Sequence, residues 1–226
     1  VELREREKYA DQLGRSLAKL SARHAAELSR LIGEPADLAD VPAEFWARVE
    51  DETRQQVAAT LILLFALSTE AHGFVGQPAK AAADQWATRR SLETARGYVS
   101  TTRERLTGLA GDDLRERAKR VFSPERARGI GQTEAVAAQT AGGEAWVTDA
   151  RSKGLIVKAV IRHSRFRPAG HSNASKKPCR ICSPLEGLVD EAWRVIAPGG
   201  PPFHPHCDCW VEYELLPSKV KKVPIW

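Results

Sequence analysis

All four cysteines of this 226-residue chain fall in its last 48 positions, in two close pairs. Cys179 and Cys182 form C-x-x-C, a spacing that lets one tight turn present two sulfurs to a single point. Cys207 and Cys209 form C-x-C at the head of "CDCWVEYELLP", where alternate residues share a face of an extended chain. The pattern C-x2-C-x24-C-x-C therefore offers four thiolates to one ion. Such a shell suits a structural, tetrahedral zinc with Zn–S near ~2.3 Å. His204 stands three residues before Cys207, and Pro205 can turn the chain between them. Cys179, Cys182 and His204 with either Cys207 or Cys209 is thus the second ligand set. Disulfides across the two motifs, or buried thiols without a metal, stay open as the alternatives. Four protein ligands leave no open position for catalysis.

The segment around these pairs is short of apolar residues and rich in loops, so it needs a staple. "GLIVKAVIRHS" (residues 154–164) is β-branched and reads as a strand. "RFRPAGHSNASKKP" reads as a cationic loop, "LVDEAWRVI" as a short strand or helix, and "APGGPP" as a turn. In the last strand Cys207, Cys209, Val211, Tyr213 and Leu215 share one face, with Asp208, Glu212 and Glu214 on the other.

The first two thirds read as helices. Across residues 2–32, Ala10, Leu13, Leu17, Leu20, His24 and Leu31 recur at three- and four-residue steps apart from Glu27, and Gly33 and Pro35 end the run. That narrow stripe suits packing on its own domain, and also self-association through helix 2–32. Pro42 opens a second helix, to Gly73, and Pro78 a third, to about Gly97. Thr101 and Glu104 have the spacing of a capping box and predict a fourth helix start. Ser123 followed by Pro124 predicts a fifth, running to Gly142 or slightly beyond, with Gly129 and Gly131 weakening its first turns. The fold class is α+β: a long-helix N-terminal body over 1–120, a small β-rich module stapled by the Cys cluster over 121–217, and a basic tail over 218–226.

Charge is uneven. Nine of the 34 basic residues lie between Ala150 and Leu185, a span without Asp or Glu: Arg151, Lys153, Lys158, Arg162, Arg165, Arg167, Lys176, Lys177 and Arg180. The remainder carries 25 basic against 29 acidic residues. Such a segment suits a polyanion or an acidic protein surface. The most apolar run, Val57 to Leu67, is about half the length that spans a bilayer, so no membrane partner is expected. No export signal is apparent, which favours a reducing compartment and with it metal or thiols over disulfides.

At the cysteines the chain resembles a known family, the phage Mu F-like (MuF) minor head proteins. The family's C-terminal signature is a C-x-x-C turn and a following Gly, then a proline-rich lead into H-P-x-C-x-C. It is carried here by Cys179, Cys182, Gly187, Pro202, His204, Pro205, Cys207 and Cys209. Asp208 departs from it, standing where an Arg is usual. Upstream, Ile130, Thr133 and Glu134 match an Ile-x-x-Thr-Glu block, and Trp146 matches an aromatic that follows. The resemblance covers residues 120–215. It implies a structural virion protein and not an enzyme, inside the capsid and present in the host cytoplasm during assembly. Its implied partners are the portal protein, packaged DNA, and major capsid or scaffold proteins. The competing reading is a metal-dependent nuclease or toxin-like enzyme built on His204, His206 and Asp208 beside the cationic stretch.

Overall fold

The computed structural model describes residues 3–162, 181, 183–185, 187–198, 200–203, 207 and 209–216. Five helices come first: α1 (Leu3–Leu31), α2 (Ala43–Glu70), α3 (Gln77–Leu106), α4 (Gly111–Val121) and α5 (Pro124–Ser152). Strand β1 (Ile156–Arg162), helix α6 (Asp190–Ile196) and strand β2 (Trp210–Leu216) complete the described elements. The architecture is α+β, mostly helical, with a two-stranded antiparallel sheet.

Residues that start and stop helices act largely as their chemistry dictates. The Ser123 side chain caps α5 by accepting from the Arg126 amide, and Pro124 occupies its first turn. Gly33, with φ of 62°, follows α1. Pro42 is the N-cap of α2. Two expectations need correction. Helix α3 does not stop at Gly97 but continues nine residues further, to Leu106. Thr101 therefore starts nothing; it lies inside α3, where its hydroxyl donates to the Gly97 carbonyl at 2.7 Å. The helix that does follow, α4, begins at Gly111. It carries Asp112 and Asp113 in its first turn and Lys119 and Arg120 in its last, complementing the helix dipole.

The long helices form a bundle in which sequence neighbours run antiparallel. The C-terminal half of α1 lies on α2, with Glu27 paired to Arg48 and His24 to Glu52. Of its predicted stripe, Leu13, Leu17 and His24 are at most 3% exposed, while Ala10, Leu20 and Leu31 are half-buried; Leu28, outside the stripe, is fully buried. One core joins Leu28, Ile32, Phe45, Trp46 and Val49 to Val99, Leu106, Leu114 and Phe122. A second joins Leu13 and Leu17 to Val57, Leu61, Leu64, Ala87 and Ala135.

Helix α5 is the strut that everything else meets. Gly129 and Gly131 do not break it. At Gly131 the backbone of α1 comes so close that an added Cβ would lie 2.7 Å from the Ala10 carbonyl oxygen and 2.8 Å from the Gly14 nitrogen. The helix also passes through Gly142 and Gly143 to Ser152. Gly142 sits against the Phe65 carbonyl of α2, and Gly143 against the Tyr213 ring of β2. The boundary expected after residue 120 falls at the end of α4, and α5 packs on α1, α2 and β2 together. Residue 217 and the basic tail 218–226 lie outside the described residues.

Candidate functional site

The small module is organised around β1. On one side β2 pairs with it antiparallel, from Ile156↔Leu216 to Arg162↔Trp210. On the other, the Gly187 amide donates to the Ile161 carbonyl at 2.9 Å, the Ile161 amide donates to Leu188, and Val160 bridges Val189. Ala159, Ile161, Leu185, Trp193 and Val211 close a buried cluster over the ribbon, and the Trp193 indole donates to the Ala159 carbonyl. "LVDEAWRVI" thus resolves into an edge bridge at Val189 followed by α6.

Cys207 and Cys209 enter this module just before β2. Both are buried, at 0% and 1% exposure, and pack together with Phe203. The face predicted to alternate does so at its start: Cys207, Cys209 and Val211 are buried, Tyr213 is half-buried and Leu215 is exposed. Described residues flanking each cysteine pair reach the same end of β1. Gly187, which follows Cys182, bonds Ile161, and Trp210, which follows Cys209, pairs with Arg162. Cys179, Cys182 and His204 lie outside the described residues, as do His206 and Asp208 of the nuclease reading. Among the described residues no group of three or more His, Cys, Asp or Glu is arranged to hold a metal ion. The two described sulfurs are withdrawn from water in one small cluster with Phe203.

The module is seated on α5 by a charged network. Arg194 of α6 reaches Glu144 of α5 at 2.7 Å and Asp190 at 2.8 Å. Asp190 also accepts from the Ala159 amide and from Arg151, each at 3.1 Å. The Tyr213 hydroxyl donates to Glu144 at 3.0 Å. Burial pushes the Asp190 carboxyl up, but the Arg194 and Ala159 hydrogen bonds outweigh it and hold Asp190 below the usual carboxylate range. Burial, then the Glu144 charge, pushes the Tyr213 phenol well up, so Tyr213 stays a donor. Beside it the His72 ring stacks on Trp146 with centroids 4.6 Å apart and meets Tyr213 edge-on at 5.5 Å. Burial lowers the His72 pKa. Trp146, singled out in the sequence, is thus the aromatic seat between α2, α5 and β2.

The cationic stretch is less bare than its sequence. Arg151 pairs with Asp190, Lys153 with Asp149 at 2.6 Å, and Lys158 with Glu214 at 3.9 Å. Only the span itself lacks acids; the fold brings carboxylates from before and after it. The Arg162 backbone lies in β1, opposite Trp210. Its side chain, and Arg165, Arg167, Lys176, Lys177 and Arg180, lie outside the described residues.

Sequence reasoning missed one feature. Where α3 and α5 run side by side, a groove of about 660 Å³ opens, lined in part by Ile130, Thr133 and Glu134. Arg90 of α3 grips Glu134 with two hydrogen bonds, of 2.7 and 2.9 Å, and Glu134 is 4% exposed. The part of the groove's α3 wall from Tyr98 to Arg105 exists because α3 continues past Gly97. A nine-residue extension is enough to hide it from a reading that ends the helix there.

Compared with protein families, curated proteins and solved structures, the chain matches none. No helix among the described residues is long and apolar enough to cross a membrane.

Proposed function

We propose that this chain is a structural minor head protein of the MuF kind. It sits inside the capsid of a tailed phage against the portal and the packaged DNA, and assists head assembly or genome packaging and ejection. One observation carries the reading: the second half of the cysteine signature, Cys207 and Cys209, is buried at the entrance to β2. The residues after Cys182 return to the same strand end. A staple joining the two pairs, with His204 as replacement ligand, needs that convergence. The ion is a structural zinc, which fixes the loop between the pairs and takes no part in a reaction.

The helical body fits the same role. Long helices around two packed cores give a firm body, and the module rides on it through α5. DNA or an acidic portal surface is met by the cationic stretch, with Arg162, Arg165, Arg167, Lys176, Lys177 and Arg180 as contacts beyond the three cations already paired. Binding to a DNA duplex should then fall steeply between about 50 and 200 mM salt.

The test is co-assembly. The full chain is mixed with the portal protein expressed from the same phage genome, and mass is followed by light scattering after size exclusion. A stable complex, lost when Cys207 is replaced by Ser, is expected. Two species that elute independently at every ratio would overturn the reading.

A further inference from the structure

The groove between α3 and α5 has an apolar, sparsely covered floor. Gly97 of α3 and Gly129 and Ile130 of α5 line it, and a Cβ built on Gly97 meets no atom within 4 Å. From Arg90 to Arg105 its α3 wall runs about 22 Å at the rise of a helix, room for about four helical turns. At one end the charges are matched: Arg90 holds Glu134, and Glu93 stands 3.9 Å from Arg90.

At the other end they are not. Arg126 places its hydrogen bonds on neutral acceptors: Thr102 Oγ1 at 2.7 Å, the Val121 carbonyl at 2.8 Å, the Tyr98 carbonyl at 3.2 Å and Thr101 Oγ1 at 2.5 Å. It also lies 4.4 Å from the centre of the Tyr98 ring. Among the described residues no carboxylate pairs with it. Glu125, its neighbour on α5, faces Arg128 at 4.0 Å instead. Arg105 lines the same end, is exposed, and repels Arg126. A half-buried cation without a counter-charge is costly, and an arriving carboxylate relieves that cost while bonding the open Arg105 fork.

We propose that this groove docks an amphipathic helix of a partner protein. The partner's apolar ridge lies over Gly97 and Ile130, and its acidic end meets Arg105 and Arg126. The bare Gly97 lets a helix approach closely, as helix-in-groove recognition requires. A nucleic acid fits worse, because phosphates need a row of unpaired cations. This groove offers two at one end, with Glu125 beside them, and Glu93 and Glu134 along the rest. The inference stands apart from the head-protein reading and uses none of its residues in the cysteine module.

The test uses the full chain and fluorescein-labelled, alanine-based helical peptides with a leucine ridge. One carries a pair of glutamates at its N-terminal end, one at its C-terminal end. Saturable anisotropy is expected for at least one, with about tenfold weaker binding when its glutamates become lysines. Arg105→Glu should reverse that preference. Gly97→Leu should abolish binding while its melting temperature stays level or rises. Absence of saturable binding by both peptides would overturn the proposal, as would a Gly97→Leu protein that binds as well as the parent. A labelled DNA duplex that displaces the peptide in an Arg105-dependent way would equally overturn it, assigning the groove to nucleic acid.

Discussion

His24 has one ring nitrogen satisfied and one stranded. It is 1% exposed on the buried side of α1, set edge-on to Phe45 and Phe122. Nε2 donates to Glu52 at 2.7 Å, and Nδ1 is buried with no partner among the described residues. The neutral ring can leave Nδ1 as an idle acceptor, whereas protonation creates a buried donor with nowhere to point. Burial lowers the His24 pKa, and the Glu52 hydrogen bond offsets only part of that. A depressed folded-state value favours the neutral form. The stability from His24 is therefore fully present above the unfolded value, about 6.5, and is lost as the pH falls through the folded one. Urea unfolding midpoints should thus drop between about pH 7.5 and 5.5. A His24→Gln protein should show a flatter profile over that range; an equally steep one would remove His24 as the cause. The same scale holds the module's anchor. Glu144→Ala strands the Tyr213 hydroxyl and leaves Arg194 with Asp190 alone, and should cost about 1–3 kcal/mol. Amide exchange would show the loss first in β1 and β2, with α1 to α4 little changed.

Helices were legible where chemistry marks their ends. Ser123–Pro124, Pro42 and Gly33 all sit where capping rules put them. Gly97 and Thr101 misled because a solvent-facing glycine and an internally bonded threonine resemble a stop and a start; α3 is held by packing on α2, which local rules do not see. Helix α4 had a readable signal, Leu114, Ala118 and Val121 at helical spacing between acidic and basic ends. The glycines of α5 read as weak points because their value is tertiary. Two substitutions separate the cases. Gly131→Ala gains about 1 kcal/mol of helix propensity but drives its methyl into the Ala10 carbonyl, so a net loss of about 1–3 kcal/mol is expected. Gly97→Ala meets nothing and should gain about 0.5–1 kcal/mol. Thermal melts of the two proteins should move in opposite directions. Of the candidate site, the buried face of Cys207, Cys209 and Val211 could be read in advance, but not its loss at Leu215 nor the contacts of Trp146 with His72 and Tyr213. The partners of Arg151 and Lys158 could not, since Asp190 and Glu214 are remote in sequence and adjacent only in the fold.

At the scale of the molecule, α5 links a bundle that has its own core to a small module with little. The module's buried apolar cluster is a handful of side chains around Trp193, and the charged seat at Glu144 orients it without supplying a large core. In the proposed reading, the missing stabilisation enters through zinc at the end of the module where Cys207 and Cys209 are buried beside Phe203. Zinc held by cysteines is bound as thiolate and releases protons, so chelation at neutral pH should loosen the module and spare the bundle. Circular dichroism would then lose little helical signal after chelation, while tryptophan fluorescence from Trp193 and Trp210 shifts. The most direct measurement is the zinc content of the purified full chain, read by elemental analysis beside a thiol titration. The account predicts one zinc per chain, thiols that react only after a chelator is added, and no zinc in a Cys207→Ser protein. Zinc-free protein that melts cooperatively with its thiols already reactive would contradict it.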